Sequence, residues 1–118
     1  MDVLKEEFEF MLDACSTDDN PTALPNWYTE NDDGLKQDWQ TWTYCNPPYS
    51  EVELWVQKAH LEAAKGNYSV MLLPARTDTK WFHRWIYGQY CIRFLKGRLK
   101  FKGTLNSAPF PSMIVIFQ

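Results

Sequence analysis

The chain has 118 residues and a formal net charge of −3, a length that favours one domain around a single core and a balance that argues against a general nucleic-acid binder, because phosphate neutralisation by Lys and Arg dominates sequence-independent attraction to DNA. Its three cysteines, Cys15, Cys45 and Cys91, are widely spaced in apolar contexts, which supports neither a disulfide framework nor a metal site and fits a reducing cytoplasm. No apolar run approaches membrane-spanning length, and the start, Met1 to Glu7, has none of the features of a signal peptide, so a soluble protein without membrane contact is expected.

Residues Asp2 to Glu7 read as the end of a short helix, after which Phe8, Phe10 and Leu12 alternate into a first strand that ends at the acid Asp13. Ser16 to Thr29 carries the breakers Asn20-Pro21 and Leu24-Pro25-Asn26 and is expected to be a long loop, a length that is usually functional inside a compact domain. A short element from Asp33 to Trp39 leads into a strand over Thr41 to Cys45.

Asn46-Pro47-Pro48-Tyr49 follows that strand directly. Two prolines lack N–H donors and hold φ near one value, which makes a stiff rim of outward carbonyls. The flanking amide and ring add acceptors for an exocyclic amino group and a flat face for a heterocycle. At the carboxyl end of a strand in an open α/β sheet, that is where reactive groups gather.

Ser50 and Glu53 have the spacing of a capping box, and Val52, Trp55, Val56, Ala59 and Ala63 recur at helical spacing until Gly66. The polar face of this helix takes Glu51, Gln57, Lys58, His60 and Glu62, with His60 read as a solvated surface histidine. Ser69 to Leu73 is a short apolar run ending at Pro74, as a buried parallel strand would be, so strand, helix and strand form one βαβ unit. Thr77 or Asp78 is expected to cap a second helix whose Trp81, Phe82, Trp85 and Ile86 share a face. Cys91 to Leu95 and Met113 to Phe117 are expected strands, and with no helix pattern between them they should pair antiparallel at the sheet edge.

Acidic residues crowd the first half (Asp13, Asp18, Asp19, Glu30, Asp32, Asp33 and Asp38) and basic residues the second. Such asymmetry allows one edge to face phosphates and another a cationic ligand. Arg98, Lys100 and Lys102 alternate at strand period and would share one face, suited either to phosphate contact or to protecting an exposed edge. Arg76, just beyond a strand end, either pairs with Asp78 or lies near DNA; Phe110, in a proline-braced loop, either presses on a target base or plugs the core.

With this motif after a strand, a βαβ unit behind it and an antiparallel terminal pair, the chain resembles the phage-associated DNA N-6-adenine methyltransferase family, small Dam-like enzymes that use S-adenosylmethionine. Phe10 to Ala14, Asp33-Gly34-Leu35, Cys45 to Tyr49, Leu72 to Asp78, Gly97 to Phe101 and Ser107 to Ser112 carry the likeness. It implies a reduced Rossmann-like α/β sheet over residues 1–118, mostly parallel with an antiparallel terminal strand pair. It also implies a catalytic rim of Asn46, Pro47, Pro48 and Tyr49, on which Asn46 and the Pro47 carbonyl accept from the amino group of a flipped adenine while Tyr49 stacks on the base. Asp13, Ala14, Asp33 and Asn46 would meet S-adenosylmethionine; Arg76, Lys80, Arg98, Lys100, Lys102 and Phe110 would meet double-stranded DNA. No metal is implied, and a homo-oligomer is left open. Members of the family begin with an aromatic residue and a Thr-Pro pair well before the first strand, a segment this chain is expected to lack. Two other functions therefore compete: a catalytically silent shortened module that binds DNA or a partner, and a protein glutamine amide methyltransferase, whose motif is chemically equivalent.

Overall fold

The computed structural model describes residues 2–97 and 110–118. In chain order these form α1 (Asp2–Glu7), β1 (Leu12–Asp13), β2 (Asn26–Trp27), β3 (Thr43–Cys45), a 3-10 turn (Tyr49–Glu51), α2 (Val52–Ala64), β4 (Ser69–Pro74), α3 (Lys80–Trp85), β5 (Cys91–Phe94) and β6 (Ser112–Phe117). The strands make one six-stranded sheet in the order β2-β1-β3-β4-β6-β5. Pairings from β2 through β4 are parallel, and β6 runs antiparallel to both β4 and β5.

Period-2 alternation explains why both faces of the central strands are apolar. Met71, Leu73, Met113, Val115 and Phe117 point to one face, where Val52, Trp55, Val56 and Ala59 of α2 and Phe82 and Ile86 near α3 cover them. Val70, Ile114 and Ile116 point to the other, covered by Phe8, Phe10 and Leu24, with Leu4 of α1 packed alongside. Arg93 on β5 ties the sheet edge to α1 through two bonds to the Glu7 carboxylate, 2.6 and 2.5 Å. Among the described residues no helix is long and apolar enough to cross a membrane.

Several local expectations are corrected. The alternation from Phe8 gives a strand of only Leu12–Asp13, because the Phe10 N–H bonds back to the Phe8 carbonyl at 3.0 Å, so the two phenylalanines pack on one face and Leu12 on the other. The expected long loop contains β2, held on β1 by bonds from Asn26 N–H to the Met11 carbonyl and from Tyr28 N–H to the Asp13 carbonyl, 3.1 and 2.9 Å. Between Asp33 and Trp39 there are turns and no regular element.

The capping box does not form: the double proline leads into the 3-10 turn and α2 starts at Val52 without a side-chain cap. In α3 the cap is Thr79, one residue beyond the expected pair, accepting from the Phe82 N–H at 3.4 Å. His60 is half-buried, 2.6 Å from the Tyr90 hydroxyl. Glu62, expected on the polar face, is 1% exposed. Its oxygens accept from Lys58 at 2.8 Å, Asn67 at 3.1 Å and the Trp39 N–H at 3.2 Å, because the segments around Trp39 and Asn67 fold over the end of the helix.

Candidate active site

The parallel strands β1, β3 and β4 deliver their carboxyl ends to one side of the sheet, so Asp13-Ala14, Asn46-Pro47-Pro48-Tyr49 and Ala75-Arg76 emerge near one another. Within the rim Pro47 is buried, Asn46 half-buried, and Pro48 and Tyr49 exposed. Two cavities flank it. One, of about 550 Å³, is bounded by Ala14, Glu30, Asp33, Gly34, Glu51 and Trp55. The other, of about 510 Å³, is bounded by Asp13, Thr22, Tyr44, Asn46, Pro47 and Tyr49. Cys15, Ser16 and Pro48 border both, so the turn after β1 and the second proline form the partition between two chambers.

The chambers differ in chemistry. The first carries three carboxylates, Glu30, Asp33 and Glu51, and among the described residues neither Lys nor Arg lines it. Burial, and then the charges of Asp13, Glu51 and Glu30, push the Cys15 thiol up to about 11, which keeps it protonated and poorly nucleophilic at neutral pH. Two of the acids that crowd the first half of the sequence, Glu30 and Asp33, thus join Glu51 in this cavity, a lining suited to a cationic ligand. The indole of Trp55 adds a flat apolar wall, and its Nε1–H is buried with no partner among the described residues.

The second chamber is neutral and aromatic apart from Asp13. Asn46 faces it with a side-chain amide that bonds to no other described residue. Asp13 is 2% exposed and braces the turn: Oδ1 accepts from the Cys15 N–H at 3.2 Å and Oδ2 from the Thr22 hydroxyl at 2.7 Å. Burial raises its pKa, against the opposing effect of those bonds. Asp13 therefore shapes the wall, with Ala14 beyond it in the first chamber.

Asp33 adopts a left-handed φ of 56°, which a short carboxamide or carboxylate side chain tolerates by bonding its own turn; its Oδ1 accepts from the Leu35 N–H at 3.3 Å. That turn presses Gly34 into the β1 end so closely that an added Cβ would lie 2.1 Å from the Ala14 carbonyl oxygen.

Arg76, Phe110 and Tyr49 meet at the rim. Phe110 is 9% exposed, with its ring perpendicular to that of Tyr49 at 4.9 Å between centroids and the Arg76 guanidinium 5.4 Å above it. Of the two alternatives open for Arg76, the ion pair with Asp78 does not form among the described residues, and the guanidinium rests over the Phe110 ring. Lys80 is exposed at the start of α3 and borders neither cavity. Arg98, Lys100 and Lys102 lie outside the described residues. Sequence reasoning missed Glu30, Gly34, Glu51 and Trp55 as cavity residues; Trp55 did stand out, but as a core position on the apolar face of a helix.

A family model described as DNA N-6-adenine-methyltransferase (Dam) matches residues 1–118. The chain is also similar to a "DNA N-6-adenine-methyltransferase" of Escherichia phage T1, 33% identical over 76 residues, covering 63% of this chain and 32% of that protein. A protein of the same name from Haemophilus phage HP1 (strain HP1c1) is 37% identical over 91 residues, covering 75% of this chain and 48% of that one. The matches thus span about a third to a half of the length of these curated relatives. No solved structure matches the chain significantly.

Proposed function

We propose, because the chain belongs to the DNA N-6-adenine-methyltransferase (Dam) family, that it transfers a methyl group from S-adenosylmethionine to the N6 amino group of an adenine flipped out of duplex DNA. The observation that carries this proposal is the pair of cavities divided by the Asn46-to-Tyr49 rim, one acid-lined and one amide- and ring-lined.

The residues present fit the donor. A volume of about 550 Å³ lies in the range of small-molecule sites. Glu30, Asp33 and Glu51 suit a cation and ribose hydroxyls, and Trp55 suits a heterocycle. When bound, the donor supplies a methyl group already activated on a positively charged sulfur. The protein's task is then positioning, which can account for much of such an acceleration without a strong general base. In the facing cavity the Asn46 side-chain oxygen and the Pro47 carbonyl accept from the two amino hydrogens of adenine, leaving the nitrogen lone pair directed across the partition. Tyr49, 47% exposed, offers the ring on which an extruded base stacks. A reduced Rossmann-like arrangement is the fold we assign to this sheet, with the ligands outside the carboxyl ends of its parallel strands.

The test is to incubate duplex DNA with the protein and methyl-labelled S-adenosylmethionine, hydrolyse the DNA and identify the labelled nucleoside. N6-methyldeoxyadenosine is expected. Donor binding in calorimetry without transfer to DNA, or label appearing on a protein glutamine, would overturn the assignment; neither binding nor transfer would point to the silent DNA- or partner-binding module.

A further inference from the structure

We propose that Arg76 and Phe110 are a positioning pair that fixes the ring plane of Tyr49, and that the charge of Arg76 is spent on Phe110 and not on a DNA phosphate; the functional consequence rests on the methyl transfer proposed above. Tyr49 is the outermost member of the rim, on a 3-10 turn of three residues, and its side chain is 47% exposed. A base stacks well only on a ring whose plane is held. The Phe110 ring meets that of Tyr49 edge to face at 85°, a geometry favoured by the ring quadrupoles. Arg76 covers Phe110 in turn, at 5.4 Å, as a guanidinium over a ring face does.

The pair is anchored by backbone at both ends. The Ala75 N–H bonds to the Pro111 carbonyl at 2.8 Å, tying the residue before Arg76 to the residue after Phe110. The Arg76 carbonyl accepts from the Thr79 hydroxyl at 2.7 Å. Tyr49 follows β3, Arg76 follows β4 and Phe110 precedes β6, so the contact links the rim to the next two strands of the sheet, β4 and β6.

The test combines kinetics with a readout that needs no turnover. In Arg76→Gln and Phe110→Leu, kcat on DNA is expected to fall about threefold to tenfold, with donor affinity within twofold of wild type and the salt slope of KM for DNA unchanged. Arg76→Lys restores most of the rate. In protein labelled with 3-fluorotyrosine, the fluorine resonance that vanishes in Tyr49→Phe is expected to shift in both variants. A salt slope reduced by about one counterion at unchanged kcat would reassign Arg76 to a phosphate. An unshifted Tyr49 resonance would remove the positioning role outright. If wild type transfers no methyl group, the proposed function fails by itself while the resonance still decides whether the pair sets the ring.

Discussion

Replacing Gly34 with alanine should damage both the fold and the acid-lined cavity. The new Cβ would sit 2.1 Å from the Ala14 carbonyl oxygen and 3.0 and 3.1 Å from two ring carbons of Trp55, so the turn must retreat by roughly 1 Å, an overpacking that costs about 1–3 kcal/mol. Ala14 cannot yield easily, since its N–H is held by the Tyr44 carbonyl at 2.9 Å. Retreat also pulls the Gly34 carbonyl from the Trp39 Nε1–H, 2.9 Å away and buried, and an orphaned buried donor costs about 1–3 kcal/mol more. Lower entropy of the unfolded alanine chain offsets about 0.4–1 kcal/mol. A net loss of about 1–5 kcal/mol lowers the melting temperature by roughly 4–20 °C for a chain of this size. Thermal unfolding followed by circular dichroism reads the first effect, and titration with S-adenosylmethionine below the melting range reads the second, a loss of affinity. A variant melting within about 2 °C of wild type with unchanged affinity would refute the close approach of this turn to β1.

Other substitutions separate parts of the structure. Ser50→Ala should change the stability of the ligand-free protein by less than about 0.5 kcal/mol, because Ser50 makes no cap, whereas Thr79→Ala, which removes a real cap, should cost about 0.5–2 kcal/mol in urea unfolding. Burial alone would raise the pKa of Glu62, but bonds from Lys58, Asn67 and Trp39 hold it below its ordinary 4.5. Its contribution is therefore complete above that value and lost as pH falls through the lower folded pKa; wild type should lose stability on acidification relative to Glu62→Gln, and parallel curves would contradict the network. Asp13 has the opposite sign, since its folded pKa lies above the ordinary 3.8. Its contribution is present below that value and is lost as pH rises through the folded pKa, so Asp13→Asn should gain on wild type as pH rises, and a growing deficit instead would show that the carboxylate is needed in charged form.

The elements legible in the sequence were those whose pattern repeats over several turns or strand residues. Val52 to Ala63 marked α2, the apolar runs marked β4 and β6, and the missing helix between β5 and β6 gave their antiparallel pairing. The rim was legible because two prolines constrain backbone wherever they stand. What escaped depended on contacts distant in sequence. Glu62 occupies a polar position on a helical wheel, and only the chain folding over it from Trp39 and Asn67 makes it buried. β2 is two residues long, too short to alternate, and exists because β1 offers it an edge. The acid-lined cavity joins Glu30, Asp33 and Glu51 from two separate segments around a glycine, a convergence that no spacing rule encodes.

The most direct measurement is single-turnover methyl transfer to adenine in DNA by Asn46→Ala beside wild type, with donor affinity measured for both. Asn46 borders the cavity opposite the carboxylates, so the account predicts a rate reduced by about a hundredfold or more, with the base misplaced while the overall fold is retained. A variant that methylates adenine N6 at the wild-type rate would contradict the claim that this rim holds the accepting amino group.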